Sequence, residues 1–254
     1  MNGAVLSSLR QAPPAQADSD RDPRSALTRC AWILADEGHE SGLAGQLTAR
    51  GPRDGTFWTL PLGLAFDEAE EASWLLIDDA LTVIEGEGSY GIREPNPATR
   101  FHLWVYRARP DVRSIVHTHP PAASALAAAE KPLIVAHMDA TPLFDDMAFL
   151  PDWPGLPTAD REGEVIAGGL GAKHAMLLAH HGLLAAGGSV EEAAFLAVFI
   201  ERMARQQLDA ALVGGARPID AGEARRARDF LRTDRIMNAT FAAWSRRAER
   251  RRAG

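Results

Sequence analysis

The period of apolar and polar positions changes several times along the chain, and each change marks an expected element. From Arg24 the apolar residues Leu27, Cys30, Ala31 and Leu34 recur at helical spacing, and the pattern stops at Gly38. A Gly-rich turn over residues 41–46 leads into Leu47-Thr48-Ala49-Arg50. Residues 56–60 read as a strand stopped by Pro61 and Gly63, and residues 75–78 and 81–85 as two strands joined by a short acidic turn. Residues 99–107 predict a helix broken at Pro110-Asp111. Residues 114–119 then predict a strand that ends at Pro120-Pro121, with a small-residue helix over 122–129. Residues 139–163 form a connector whose Phe144, Phe149 and Trp153 predict that it packs onto the body of the protein. A helix over 162–170, a strand over 176–180 and a turn at Gly182 follow. Residues 190–212 predict a long amphipathic helix with Ser189 as N-cap and Glu191 and Glu192 in its first turn, and a last helix is expected over 223–250.

Composition narrows what this pattern serves. Helix and strand patterns interleave, so the class is α/β, and 254 residues suffice for one large core. Residues 1–23, rich in Pro, Asp, Ser and Gln, read as a flexible tail, and residues 24–254 as one domain that includes the C-terminal helices. The net charge of −7 argues against a nucleic-acid partner, and the basic run 246–252 suits the carbonyl end of a helix. No apolar run approaches the ~18 residues of a membrane span, and no basic head precedes an apolar core as in a secretory signal. The single cysteine, Cys30, has no partner for an internal disulfide and lies in an apolar stretch. A buried thiol and a cytoplasmic location are the expectation.

The chemistry concentrates in two short motifs. In His117-Thr118-His119, strand alternation puts Ile115, His117 and His119 on one face, with the two histidine Cα atoms about 7 Å apart, close enough to share an ion. In His180-His181-Gly182, adjacent side chains point to opposite sides, so one of the two histidines faces that pair, and the glycine permits a sharp turn. Three neutral imidazoles suit Zn²⁺ first, and also Mn²⁺, Fe²⁺ or Co²⁺. Three protein ligands with an open position is the arrangement of a catalytic metal, since structural zinc closes all four positions.

At these residues the sequence resembles the class II aldolase/adducin family. The resemblance rests on Arg107-Ala108-Arg109-Pro110-Asp111-Val112 through His117-Thr118-His119-Pro120, and on His180-His181-Gly182-Leu183-Leu184 with Gly187. It also takes in the 41–50 segment, Leu60-Pro61-Leu62-Gly63 and Arg100-Phe101-His102. It implies a three-layer α/β/α fold with a central, mostly antiparallel sheet, and a homotetramer with sites at subunit interfaces. It also implies one divalent metal on His117, His119 and His181, with His180 as a structural neighbour. The departures are informative. Sugar-phosphate enzymes of the family carry a carboxylate where this chain has Ala98. Their phosphate-binding hydroxyls correspond here to Leu62 and to Asn96-Pro97, and Pro97 lacks a backbone N–H. A sugar phosphate is therefore not expected, and the 96–102 segment is similar to the adducin-like branch.

Further candidates surround this set. Gly42 and Gly45 with Gln46 offer backbone N–H groups to an anionic or carbonyl ligand, and Gly63 lies in the second turn the family uses for substrate. Arg93 suits a substrate carboxylate, with Tyr90 and Glu94 beside it, and His137 and Asp139 are placed to relay a proton. His102 reads as a core residue, and His39 and His174 carry no signal. The first functional expectation is a metal-dependent carbon–carbon lyase, a decarboxylase or retro-aldolase acting on a small non-phosphorylated oxo- or hydroxy-carboxylic acid. An Fe(II)-dependent oxygenase of the same fold is the second, and a non-catalytic adducin-like interaction module the third.

Overall fold

The computed structural model describes residues 22–156 and 159–253, so nearly all of the tail expected at 1–23 lies outside the described residues. Helix α1 (Arg24–Asp36) buries Leu27, Cys30, Ala31, Ile33 and Leu34, the stripe that its apolar spacing sets. It ends where Gly38 takes a left-handed conformation (φ 77°). Four strands follow: β1 (Gln46–Arg50), β2 (Thr56–Thr59), β3 (Leu75–Asp78) and β4 (Val83–Glu85). Then come α2 (Thr99–Ala108), β5 (Ser114–Thr118), α3 (Pro121–Ala128), β6 (Met147–Leu150), α4 (Asp160–Leu170), β7 (Ala175–Leu178) and β8 (Leu183–Gly187). Three helices close the chain: α5 (Val190–Ala211), α6 (Ala221–Leu231) and α7 (Asp234–Ala253).

The strands form one eight-stranded sheet in the order β4-β3-β2-β1-β5-β8-β7-β6. Every neighbouring pair is antiparallel except β6–β7. Period-two alternation sends successive side chains to two separate cores. On one face Leu47, Trp58, Val116 and Leu183 meet α1, α3, α5 and α7. On the other, Phe57, Ile115, Met176 and Leu184 meet Phe101 and Val105 of α2 and Ile166 and Leu170 of α4. This is the three-layer α/β/α arrangement, and the sheet is mostly antiparallel. The C-terminal helix belongs to the first core, since its Phe241 and Trp244 are buried. Side chains of that size each contribute about 1.5–3 kcal/mol on burial. Cys30 is buried as its apolar surroundings suggested. Among the described residues no helix is long and apolar enough to cross a membrane.

The structure corrects the sequence reading in three places. The expected helix 223–250 is two helices, α6 and α7, broken at Arg232-Thr233. There the Arg232 guanidinium is drawn inward to the carboxylates of Asp146 and Glu192. The connector contains an element of its own, β6, which adds to the sheet edge in parallel with β7 and lays Phe149 against the first core. The segments after Gly45 and after Gly182, left without elements by the apolar pattern, are β1 and β8, the two strands that flank β5. Both are buried on both faces, so neither shows the apolar–polar alternation that marks a half-exposed strand.

Candidate metal centre

Three segments meet at one end of the sheet: the start of β1, the end of β5 and the β7–β8 turn. Gln46 is paired with His117, and Thr118 with Leu183. Alternation turns His117 toward the α2 face, where the Phe101 ring stands edge-on at 4.9 Å. The His117 Nδ1 lies 2.8 Å from the Leu183 carbonyl oxygen. A carbonyl only accepts, so Nδ1 carries the proton and Nε2 presents its lone pair. The Nε2 of His119 lies 2.9 Å from that same Nε2. The His181 ring completes the set, with centroids 4.7 Å from each of the other two.

The ligating atoms of His117, His119 and His181 all lie within 4.8 Å of one another. Burial lowers the proton affinity of each ring. His117 is held well below its ordinary value by burial and then by its two neighbours. His119 is lowered by burial, and His181 is pushed down to about 4 by burial, then by His119. All three are therefore neutral at neutral pH, the form that binds a metal. Two nitrogens facing each other at hydrogen-bond distance, with the His181 ring centred 4.7 Å from both rings, fit a shared cation, and His181 Nδ1 is buried with no hydrogen-bond partner.

His180 turns away. It takes a left-handed conformation (φ 57°), and its Nε2 meets the Glu130 carboxylate at 2.9 Å on the surface. Gly182 was expected to serve the turn, but the left-handed residue there is His180. The glycine is required by close approach instead: a Cβ on it would lie 2.5 Å from His119 Cδ2 and 2.5 Å from the Thr118 carbonyl oxygen.

The two glycine turns share one cleft, lined in part by Gly42, Gly45, Gly63, Phe66 and Asn96, and it adjoins the His117 backbone at Gly45. Gly45 (φ 112°) makes the connection, because a Cβ there would lie 3.2 Å from the His117 carbonyl oxygen. Gln46 has a different task. It is buried, and its Nε2 donates to Thr59 Oγ1 at 2.7 Å and Thr99 Oγ1 at 2.8 Å, which uses both of its N–H groups. It ties β1 to β2 and to the start of α2. The remaining candidates stand apart. Tyr90 (φ 54°) is 79% exposed, and Arg93 is exposed in the same loop. His137 and Asp139 adjoin each other at the start of a 3-10 turn, where His137 Nδ1 accepts from the Asp139 amide at 3.2 Å. No hydrogen bond among the described residues joins these four side chains to the three histidines.

Two buried histidines brace the site from behind. His102 Nδ1 bonds Thr48 Oγ1 at 2.9 Å, as suits a core residue, although its Nε2 has no partner. His39, which carried no sequence signal, bonds the Oγ1 of Thr118 at 2.9 Å, between His117 and His119. The two residues are 79 positions apart, so no local pattern links them. Burial pushes both His39 and His102 down to about 3. Ala98, in place of the family's carboxylate, precedes α2 with its methyl group against the second core.

The fold and the site define a class of protein, and comparison with known proteins agrees. The chain belongs to the class II aldolase and adducin N-terminal domain family, whose model matches residues 25–208. The 4-hydroxy-3-prenylphenylpyruvate oxygenase/4-hydroxy-3-prenylbenzoate synthase of Streptomyces roseochromogenus subsp. oscitans is 33% identical over 188 residues, covering 73% of this chain and 66% of that protein. The decarboxylase NovR of Streptomyces niveus is 32% identical over 188 residues, covering 73% and 68%. The chain thus spans about two thirds of the length of these relatives. The solved L-fuculose 1-phosphate aldolase from Glaciozyma antarctica PI12 is 29% identical, with a TM-score of 0.85 over 98% of this chain and 97% of that one.

Proposed function

We propose that this protein is a divalent-metal-dependent carbon–carbon lyase, a decarboxylase or retro-aldolase acting on a small non-phosphorylated oxo- or hydroxy-carboxylic acid. The observation that carries the reading is the pairing of a converged, neutral histidine triad with an apolar methyl at position 98. His117, His119 and His181 hold the ion, Zn²⁺ by preference. A bound divalent ion supplies Lewis acidity toward a carbonyl or phenolic oxygen of the substrate. Aldol addition first needs a base to remove a proton, and Ala98 provides none. Decarboxylation needs no such base. The carbon–carbon bond breaks, CO₂ departs, the bonding pair delocalises onto the adjoining carbonyl oxygen, and a proton then takes the place of CO₂. His137, Asp139 and Tyr90 are the candidate proton carriers, Arg93 the candidate partner for a substrate carboxylate, and the backbone at Gly45 and Gly63 the cleft's contribution to binding.

Leu62 and Pro97 support the exclusion of phosphate, since neither side chain offers a hydroxyl. We read the active unit as a cytoplasmic homotetramer, in line with the family resemblance. The likeness to the oxygenase/synthase favours a second reading, Fe²⁺-dependent oxygenation, at comparable identity. Metal analysis of the purified chain separates the readings: zinc or manganese supports the lyase, iron the oxygenase, and a protein that takes up no metal a binding module.

A further inference from the structure

Beyond the histidines themselves, His119 depends on how the chain leaves β5. Its next two residues are Pro120 and Pro121, whose fixed φ angles make a stiff link into α3. Helix α3 begins without a cap of its own, because Pro120 occupies the N-cap position and has no side-chain acceptor. The amides of Ala122 and Ala123 are instead taken by one side chain from a different element. Glu201, midway along α5, accepts from Ala122 N at 2.9 Å through Oε1 and from Ala123 N at 2.7 Å through Oε2. It lies four residues after Ala197 and three before Ala204, both fully buried, so a carboxylate interrupts an otherwise apolar face of α5. That face packs against β8 and α3 in the first core, across the sheet from the His117 ring.

We propose that Glu201 is a positioning residue of the metal centre: by clamping the first turn of α3 it sets the exit of the chain from His119, and so the reach of His119 to the ion. The inference rests on the metal-binding reading of the triad. Loss of one carboxylate oxygen lets the α3 terminus shift, and the two prolines pass that shift to His119. The effect falls on metal affinity and ligand geometry, although Glu201 touches no ligand.

The test is titration of the full-length, metal-free protein with Co²⁺ alone, reading the dissociation constant by chelator competition and the visible absorption of the bound ion. Glu201→Gln keeps the shape of the side chain and removes one acceptor. It is expected to weaken Co²⁺ about tenfold or more and to alter the spectrum. Ser189→Ala is the control: it removes the cap of α5, where Ser189 Oγ accepts from Glu192 N at 3.1 Å. Its unfolding midpoint falls, but affinity and spectrum stay at wild-type values. Wild-type affinity and spectrum in Glu201→Gln, or equal weakening in Ser189→Ala, overturns the assignment. A wild type that takes up no Co²⁺ overturns the triad reading itself, and Glu201 falls with it.

Discussion

The histidine end of the sheet and the surface segments that carry Tyr90, Arg93, His137 and Asp139 are built on opposite terms. Each histidine lies in a strand or beside a strand end and has a close neighbour: His117 the Leu183 carbonyl, His119 the Gly182 backbone, His181 the turn that sends His180 outward. The surface candidates have no such frame. Tyr90 and Arg93 sit in an exposed loop, and His137 and Asp139 chiefly hold one another. A metal ligand is useful only when preorganised, so it is held within a strand or at a strand's end. Groups that meet a substrate sit on loops, where their variation changes chemistry without changing the fold.

The largest expected effect lies at the framed end. Replacing His117, His119 or His181 by Ala removes bound metal, whereas His180→Ala retains it at close to one ion per chain by elemental analysis. Gly182→Ala is expected to behave like the ligand substitutions, because its Cβ collides with a ligand ring and a backbone carbonyl. Full occupancy in His181→Ala with loss in His180→Ala would reverse the assignment.

The next effect is a pH dependence of the same framed end. Buried His39 and His102 have folded values of about 3 against 6.5 ordinarily. Below pH 6.5 the unfolded chain takes up protons that the folded chain refuses, so their contribution is present above that pH and is lost as pH falls toward 3. At pH 5 each costs about 2 kcal/mol relative to pH 7. Urea unfolding of the metal-free protein at the two pH values should show the loss, and His39→Gln should reduce it. Equal stability at both would show these rings to be less buried than described.

A smaller effect is expected at position 98. On the lyase reading, Ala98→Glu places an anion where the substrate's own carboxylate would approach. Two such charges 4 Å apart repel by about 4 kcal/mol at an effective dielectric near 20, before screening. A tenfold loss of turnover needs only about 1.4 kcal/mol. Increased aldol activity in the variant would mark a degraded aldolase instead.

The same contrast explains what the sequence made legible. Alternation in 114–119 put His117 and His119 on one face and the adjacent pair at 180–181 offered one more ligand, because period-two geometry operates over a few residues, while the family resemblance chose His181 of that pair. The helix stripe of α1 was legible for the same reason. What escaped depends on distant partners. Strands β1 and β8 carry no alternation because both their faces are covered. The break between α6 and α7 follows from two carboxylates, on Asp146 and Glu192, that draw Arg232 inward. Gln46 was read for its backbone N–H, whereas its side-chain amide holds Thr59 and Thr99, contacts that no spacing reveals. Glu201 did leave a trace, as a charge on an apolar helix face, but its meaning required knowing that α3 lies opposite.

The most direct test of the central claim is CO₂ release by the metal-loaded wild type from a panel of 3-oxo-acids and hydroxy-aryl carboxylic acids, run beside chelator-treated protein and His181→Ala. The account predicts metal-dependent CO₂ release from at least one acid under anaerobic conditions, abolished in both controls. Release that requires O₂ and iron, or no metal-dependent carbon–carbon cleavage of any acid, would contradict it; aldol cleavage without decarboxylation would sink the decarboxylase arm and leave the retro-aldolase one.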